Sequence, residues 1–238
     1  AQKILRSLEW LQKALSLPNI PEHIEAVDVS NLGDSGIVAA VTVFKNARPY
    51  KKGYRKFRIK SVTEQNDVAS MRETVRRRFE RYLIGDPKFA ELPDLLLIDG
   101  GAAQTSAAAE IVSELGLKIP VYGMVKDEKH KTSEIVSPTG QKIGIIGNTS
   151  VFALISSIQD ETHRFAIEYQ RKTRNDDLES ELLKVRGMGK ARYKRLLSHF
   201  GTAKAVKEAT FEELRTVLPE QVAAEVMKVK NETAQVEL

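Results

Sequence analysis

One change of hydrophobic period limits what this chain folds into. Ile24–Val29, Ile37–Phe44 and Tyr54–Ile59 are short runs rich in apolar and β-branched residues, each of strand length. The third run alternates, with Phe57 and Ile59 on one face and Lys56, Arg58 and Lys60 on the other. Their connections are too short for crossover helices, so an antiparallel meander is predicted. Asn31-Leu32-Gly33-Asp34-Ser35-Gly36 supplies the chemistry of its first turn. From Asp67 the period becomes helical: Val68, Met71, Val75 and Phe79 recur at helix spacing, with Asp67 as the candidate N-cap. A nearly all-apolar strand, Asp94–Asp99, follows and is broken by Gly100-Gly101. Beyond it the pattern predicts a helix over Gln104–Leu115, a buried strand over Pro120–Val125, a polar loop or small hairpin over 127–147, and a helix from Val151 towards Arg171. Meandering strands followed by alternating helix and strand predict an α/β domain, a mixed sheet flanked by helices on both faces.

The ends read differently. Ile4, Leu8, Leu11 and Leu15 mark an amphipathic helix within residues 1–20 that needs a surface to pack on. The chain begins with Ala1 rather than Met, and this helix is expected to lead from a preceding region of a longer protein. The main domain is assigned to residues 21–172, and the polar stretch at 173–177 is expected to be a linker. Residues 178–238 form a separate small all-α unit, in which Leu182, Val185 and Ala191 recur 32 positions later as Leu214, Val217 and Ala223.

Composition removes several functions. The chain has no cysteine, which excludes disulfides, thiolate metal sites and cysteine nucleophiles. No apolar run has the length of a membrane span, and no secretory signal is present, so a cytoplasmic protein is expected. The net charge of +5 is modest but concentrated. Lys45–Lys60 holds eight basic residues and no acid, and Lys184–Lys204 holds seven and no acid. Two such tracts point to a polyanionic partner, with a solvated strand and a solvated helix as the plain alternative.

Three aspartates fall where elements begin or end: Asp28 near the end of the first strand, Asp67 at the helix start, and Asp99 at the end of the fourth strand. If the first and fourth strands are neighbours, Asp28 and Asp99 project together, and His163 on the last long helix packs beside that edge. Like-charged carboxylates about 4 Å apart repel by about 4 kcal/mol at an effective dielectric near 20. Either a raised pKa or a bound divalent cation relieves that repulsion. Oxygen ligands with one imidazole suit Mg²⁺ or Mn²⁺ better than zinc, and such a site supports phosphodiester hydrolysis. The plain alternatives are a helix cap and turn residues. Gly100-Gly101 lacks the remaining residues of a dinucleotide or P-loop fingerprint and reads as a tight turn. His23 and His199 read as ordinary, and His130 lies in a charged loop that would face substrate.

In the small unit, Val185-Arg186-Gly187-Met188-Gly189-Lys190 puts two glycines between helices. Backbone N–H groups at the second helix start then point at a phosphate, with Arg186, Lys190, Lys194 and Arg195 adding charge. A simple αα-hairpin is the alternative. The second copy has Leu218-Pro219-Glu220-Gln221 instead of glycines, and residues 205–238 hold four basic and seven acidic residues. It is expected to complete the small core.

Ile24–Asn31, Asn66–Glu73, Leu92–Gly101, Gly123–Asp127 and Ile158–Ile167 occur in the order of the UvrC family, and the chain resembles the C-terminal half of its members. The resemblance implies a ribonuclease H-like endonuclease domain followed by tandem helix-hairpin-helix modules. It places the catalytic acids on Asp28, Asp67 and Asp99 and the catalytic histidine on His163. Metal binding falls to Asp28, Asp99 and His163, and DNA binding to Arg186, Gly187, Met188, Gly189, Lys190, Lys194 and Arg195. It also implies a divalent-metal-dependent incision 5′ to a lesion in duplex DNA during nucleotide excision repair, with UvrA and UvrB as partners. The UvrB-docking segment and the nuclease domain for the 3′ incision are expected outside this sequence. The family commonly has Gly-Gly-x-Gly-Gln where this chain has Gly100-Gly101-Ala102-Ala103-Gln104. Other readings are a non-catalytic duplex-DNA-binding module whose ribonuclease H-like domain is structural, and a Mg²⁺-dependent hydrolase of a small nucleotide.

Overall fold

A computed structural model describes residues 2–31, 36–61, 66–126 and 132–235. Most of the expected turn at 31–36 and the loop carrying His130 lie outside them. The chain divides into two units, Ala1–Gln170 and Arg171–Leu238.

In the first unit β1 (His23–Asn31) pairs antiparallel with β2 (Ile37–Lys45) along its whole length. The expected third strand is split. β3 (Arg48–Pro49) and β4 (Arg55–Arg58) both pair with β2, and a 3-10 turn over Lys51–Gly53 separates them. The turn folds the edge over Val43: Tyr50 N–H donates to the Val43 carbonyl at 2.7 Å, and a Cβ on Gly53 would fall 2.8 Å from Val43 Cγ2. Alternation alone carries no sign of such a break. On the other side of β1 come β5 (Leu95–Asp99) and β6 (Val121–Lys126), both parallel, then the antiparallel hairpin β7 (Thr132–Val136) and β8 (Lys142–Gly144). The described part of the segment expected as a loop or small hairpin thus holds, over 132–144, a hairpin that extends the sheet. The first and fourth predicted strands are neighbours, as expected.

Helices cover both faces. Ile24, Ala26, Leu95 and Leu97 pack with α1 (Gln2–Ala14) and α4 (Thr149–Leu182), where Leu8, Leu11, Ile155 and Ile158 are buried. Each fully buried Leu or Ile contributes roughly 1.5–3 kcal/mol, which is what holds the N-terminal helix. Val27, Leu96 and Ile98 pack with α2 (Asp67–Leu83) and α3 (Ala102–Glu114). The N-cap of α2 is Asn66, whose Oδ1 accepts from Ala69 N–H at 3.0 Å. Asp67 is the first helical residue, where its charge still meets the positive end of the helix dipole.

The linker expected at 173–177 lies inside α4, which runs unbroken from Thr149 to Leu182. Arg171–Asp177 is polar but holds neither Gly nor Pro, so its composition reports exposure and not a break. In the second unit α5 (Lys190–Phe200), α6 (Ala203–Glu208), α7 (Phe211–Arg215) and α8 (Glu220–Gln235) bury Leu182, Tyr193, Leu196, Leu214, Ala223 and Val226. The predicted repeat holds for Leu182 and Leu214, then slips. Ala191 is exposed while Ala223 is buried, and in α5 the buried residues are Tyr193 and Leu196. The turn without glycines between α7 and α8 is shorter, so the residues behind it shift register.

Candidate metal centre and nucleic-acid interface

Side chains at even positions of β1 point to the α4 face, so Asp28 continues the row of Ile24 and Ala26 at the strand's far end. Asp99 ends β5 on the same face, one strand away. His163 enters from α4. Ligand atoms of Asp28, Asp99 and His163 all lie within 4.8 Å of one another. Asp28 is only 6% exposed, whereas the His163 side chain is half exposed, so the group is closed below and open above. Asp67 does not join it and is exposed at the first turn of α2.

His163 Nδ1 donates to Asp28 Oδ2 at 3.2 Å, which leaves Nε2 with the lone pair. That hydrogen bond, helped by the Asp28 charge, holds the imidazole above its usual pKa against the opposing effect of burial. Burial first, and then the charge of Asp28, push the Asp99 carboxyl up, while Gln159, Lys126 and His163 partly offset them. Gln159 Nε2 donates to Asp99 Oδ1 at 2.7 Å, and Lys126 Nζ stands 3.9 Å from Asp99 Oδ2. α4 is fixed against β2 by the buried hydroxyl pair of Thr42 and Thr162, 2.6 Å apart. The donor set of two carboxylates and one imidazole, with a buried acid disfavoured in its charged form, fits a hard divalent cation. Gln159 is not among the residues expected at the site. Its signal is spacing: it lies four residues before His163, on the same helix face.

A cavity of about 190 Å³ opens on the opposite face, around Arg78, Arg55 and Glu91; none of the three site residues lines it. His23 stands beside it, 3.3 Å from Glu25, and His199 packs edge-on to Phe200. Gly100-Gly101 forms a tight turn, with Gly101 capping α3 and the Gln104 side chain accepting from Gly101 N–H at 3.0 Å.

In the second unit Gly187 adopts φ +88° and Gly189 caps α5 with no side chain over the first-turn amides. Arg186, Lys190, Lys194 and Arg195 are exposed around that end. Met188 is buried in the small core, and its N–H already donates to Val185 at 2.9 Å. Its side chain therefore packs and does not face a ligand. Arg192 Nη1 donates to the Gly187 carbonyl and ties the hairpin to α5.

No helix among the described residues is long and apolar enough to cross a membrane. A family model described as the UvrC RNAse H endonuclease domain matches residues 12–167. The UvrABC system protein C of Ruminiclostridium cellulolyticum is 40% identical over 93% of the chain, and that of Bacteroides thetaiotaomicron 42% identical over 95%. The chain spans 37% of the length of each. Among solved structures, human ENDOV aligns over 72% of this chain and 98% of its own at 11% identity, with a TM-score of 0.42. The matched residues run from the end of α1 to the site-bearing part of α4, and the chain belongs to the UvrC RNase H endonuclease domain family.

Proposed function

We propose that the chain is the divalent-metal-dependent endonuclease part of a nucleotide excision repair protein, nicking damaged duplex DNA on the 5′ side of a lesion. The convergence of Asp28, Asp99 and His163 supports this most directly. These three would hold Mg²⁺ or Mn²⁺, which supplies charge to a phosphodiester and lowers the pKa of water. The remaining work belongs to the chain. Gln159 and Lys126 hold the Asp99 carboxylate in place. Asp28 accepts from His163 Nδ1, so Nε2 of the neutral ring is the atom that would either ligate the metal or exchange a proton at the open side. Asp67, in the first turn of α2, would orient water or substrate from outside the group. Arg186, Lys190, Lys194 and Arg195, with the amides behind Gly189, would grip DNA phosphates independently of sequence. UvrA, UvrB and a damaged duplex are the partners of this reading, in the cytoplasm.

The test is supercoiled plasmid with Mn²⁺. Slow nicking that a chelator stops is expected. A protein that binds duplex but neither nicks it nor takes up Mn²⁺ at Asp28 would instead be the non-catalytic module.

Gln159→Leu is expected to lower Mn²⁺ affinity or nicking about 10–100-fold, the usual cost of losing a partner behind a metal ligand. Activity within twofold of wild type would remove Gln159 from the site's support. For the hairpin, Lys190→Glu is expected to weaken duplex binding about equally for all sequences and to flatten its salt dependence by roughly one phosphate contact or more. Binding that changes with base sequence would contradict a backbone grip. Gly187→Val is a poorer probe: φ is +88° and an added Cβ would lie 2.9 Å from Val222 Cγ2, so it strains the fold as well.

A further inference from the structure

We propose that Lys56 is a substrate-positioning residue that holds a DNA phosphate beside the acidic site, an inference that rests on the nuclease reading above. The sheet register puts it there. Asp28 stands directly opposite Ala40, and Ala40 directly opposite Lys56. Directly paired residues on antiparallel strands project to the same face, so the three form one lateral row. At about 4.8 Å per strand, Lys56 is displaced roughly 10 Å from Asp28 across the sheet. One DNA strand carries a phosphate every 3.4 Å of helix axis, so that offset corresponds to about three phosphates or fewer from the bond held at Asp28.

The ammonium is placed without being neutralised. Lys56 Nζ lies 4.8 Å from the ring centre of Phe165 and 5.2 Å from that of Tyr169. These rings are four residues apart on α4, the helix that also supplies Gln159 and His163. Phe165 is fixed in turn: it packs on Ala40, and Tyr54 meets it edge-on at 4.9 Å. The Tyr54 hydroxyl donates to Glu161 at 3.0 Å, again on α4. Lys56 makes no ion pair among the described residues, and it is exposed. An exposed cation–π contact is weak: it biases where the charge sits and does not compete with a phosphate. Ala40, between them, is buried under Phe165 and Ala166, so a strand that reaches both Lys56 and Asp28 runs over α4. A polyanion meeting Asp28 and Asp99 is repelled by them, and a fixed cation in the same row offsets that repulsion where the strand must lie.

The alternative is that Lys56 only staples β4 to α4. Lys56→Met keeps the stem and removes the charge, while Lys56→Arg keeps the charge. Duplex affinity is measured against salt for each in the full chain, and plasmid nicking with Mn²⁺ gives KM and kcat separately. Lys56→Met is expected to reduce the slope of log K against log salt by about 0.9, weaken binding about three- to tenfold and raise KM with little change in kcat, with Lys56→Arg restoring both. An unchanged slope and KM in Lys56→Met, or an equal loss in Lys56→Arg, would overturn the proposal. The nuclease reading fails by a different result, nicking that persists in Asp28→Asn; the salt slopes still decide whether Lys56 carries a phosphate contact.

Discussion

Asp28→Asn is expected to reduce Mn²⁺-dependent nicking by roughly a thousandfold or more while leaving the protein folded. The size follows from the site: losing one of two carboxylate ligands removes several kcal/mol of charge stabilisation, and each 1.36 kcal/mol is tenfold in rate. Asparagine keeps the shape of Asp28, and its Oδ1 still accepts from His163 Nδ1, so the change is one of charge. The same charge now pushes the Asp99 carboxyl up. Without metal and at alkaline pH, where His163 is neutral, the variant should be at least as stable as wild type. A residue serving only the fold predicts the opposite, lower stability with nicking reduced in proportion to unfolded protein. Nicking of Asp28→Asn equal to wild type would end the assignment of the acidic group as a nuclease site. Chelation of the wild-type protein should reproduce the loss of activity, and Mn²⁺ should raise the thermal stability of wild type and not of the variant.

Residues that report their surroundings through periodicity were readable in advance. The alternation of β4, the all-apolar β5 and the helical spacing behind Asp67 each place a face, and the two faces of β1 then put Asp28 and Asp99 on the α4 side. His163 follows because α4 is amphipathic and packs there. What escaped has no periodic signature. Gln159 looks like any polar helix residue until Asp99 is placed opposite it. Asn66 and Asp67 are both good caps, and only backbone conformation decides between them. Met188, in a basic hairpin, turns inward and packs in the core that holds Val185, Tyr193 and Val222, which a flexible unbranched side chain suits. The polar run through Arg171–Asp177 continues a helix because nothing in it breaks one.

Arg78→Ala is expected to destabilise the first unit by about 3–5 kcal/mol, the usual cost of removing one partner of a buried ion pair. Arg78 on α2 reaches Glu25 on β1 through two hydrogen bonds, Nε to Oε2 at 2.8 Å and Nη2 to Oε1 at 2.6 Å, and Nη2 also donates to the Glu91 carbonyl at 2.7 Å. The Arg78 side chain is 5% exposed and that of Glu25 2%, so solvent replaces neither partner. For a domain of this size each kcal/mol shifts the melting temperature by roughly 2–4 °C, which predicts a fall of roughly 6–20 °C. The pH dependence gives the sign. Burial alone would raise the Glu25 carboxyl, but the His23 ring and the Arg78 guanidinium outweigh it and hold the pKa below the ordinary 4.5. A depressed acid contributes stability above its unfolded pKa, and that contribution is lost as pH falls through the folded value. Removing Arg78 takes away its hydrogen bonds and charge, so burial, the largest single effect on Glu25, is opposed by the His23 ring alone and is expected to prevail. The Glu25 pKa then rises above its unfolded value, and the variant's contribution from this residue is lost as pH rises. The melting temperature of Arg78→Ala should therefore recover part of its deficit towards pH 4, where wild type begins to lose stability. A deficit that is constant across that range would show that the loss is packing against Phe79 and Phe89 and not an orphaned carboxylate. Replacing both partners, Arg78→Met with Glu25→Gln, should restore most of the stability, because the buried charge is then gone. The pair also anchors α2, whose first turn carries Asp67, so nicking by the double variant reports whether the placement of that helix matters to the acidic site.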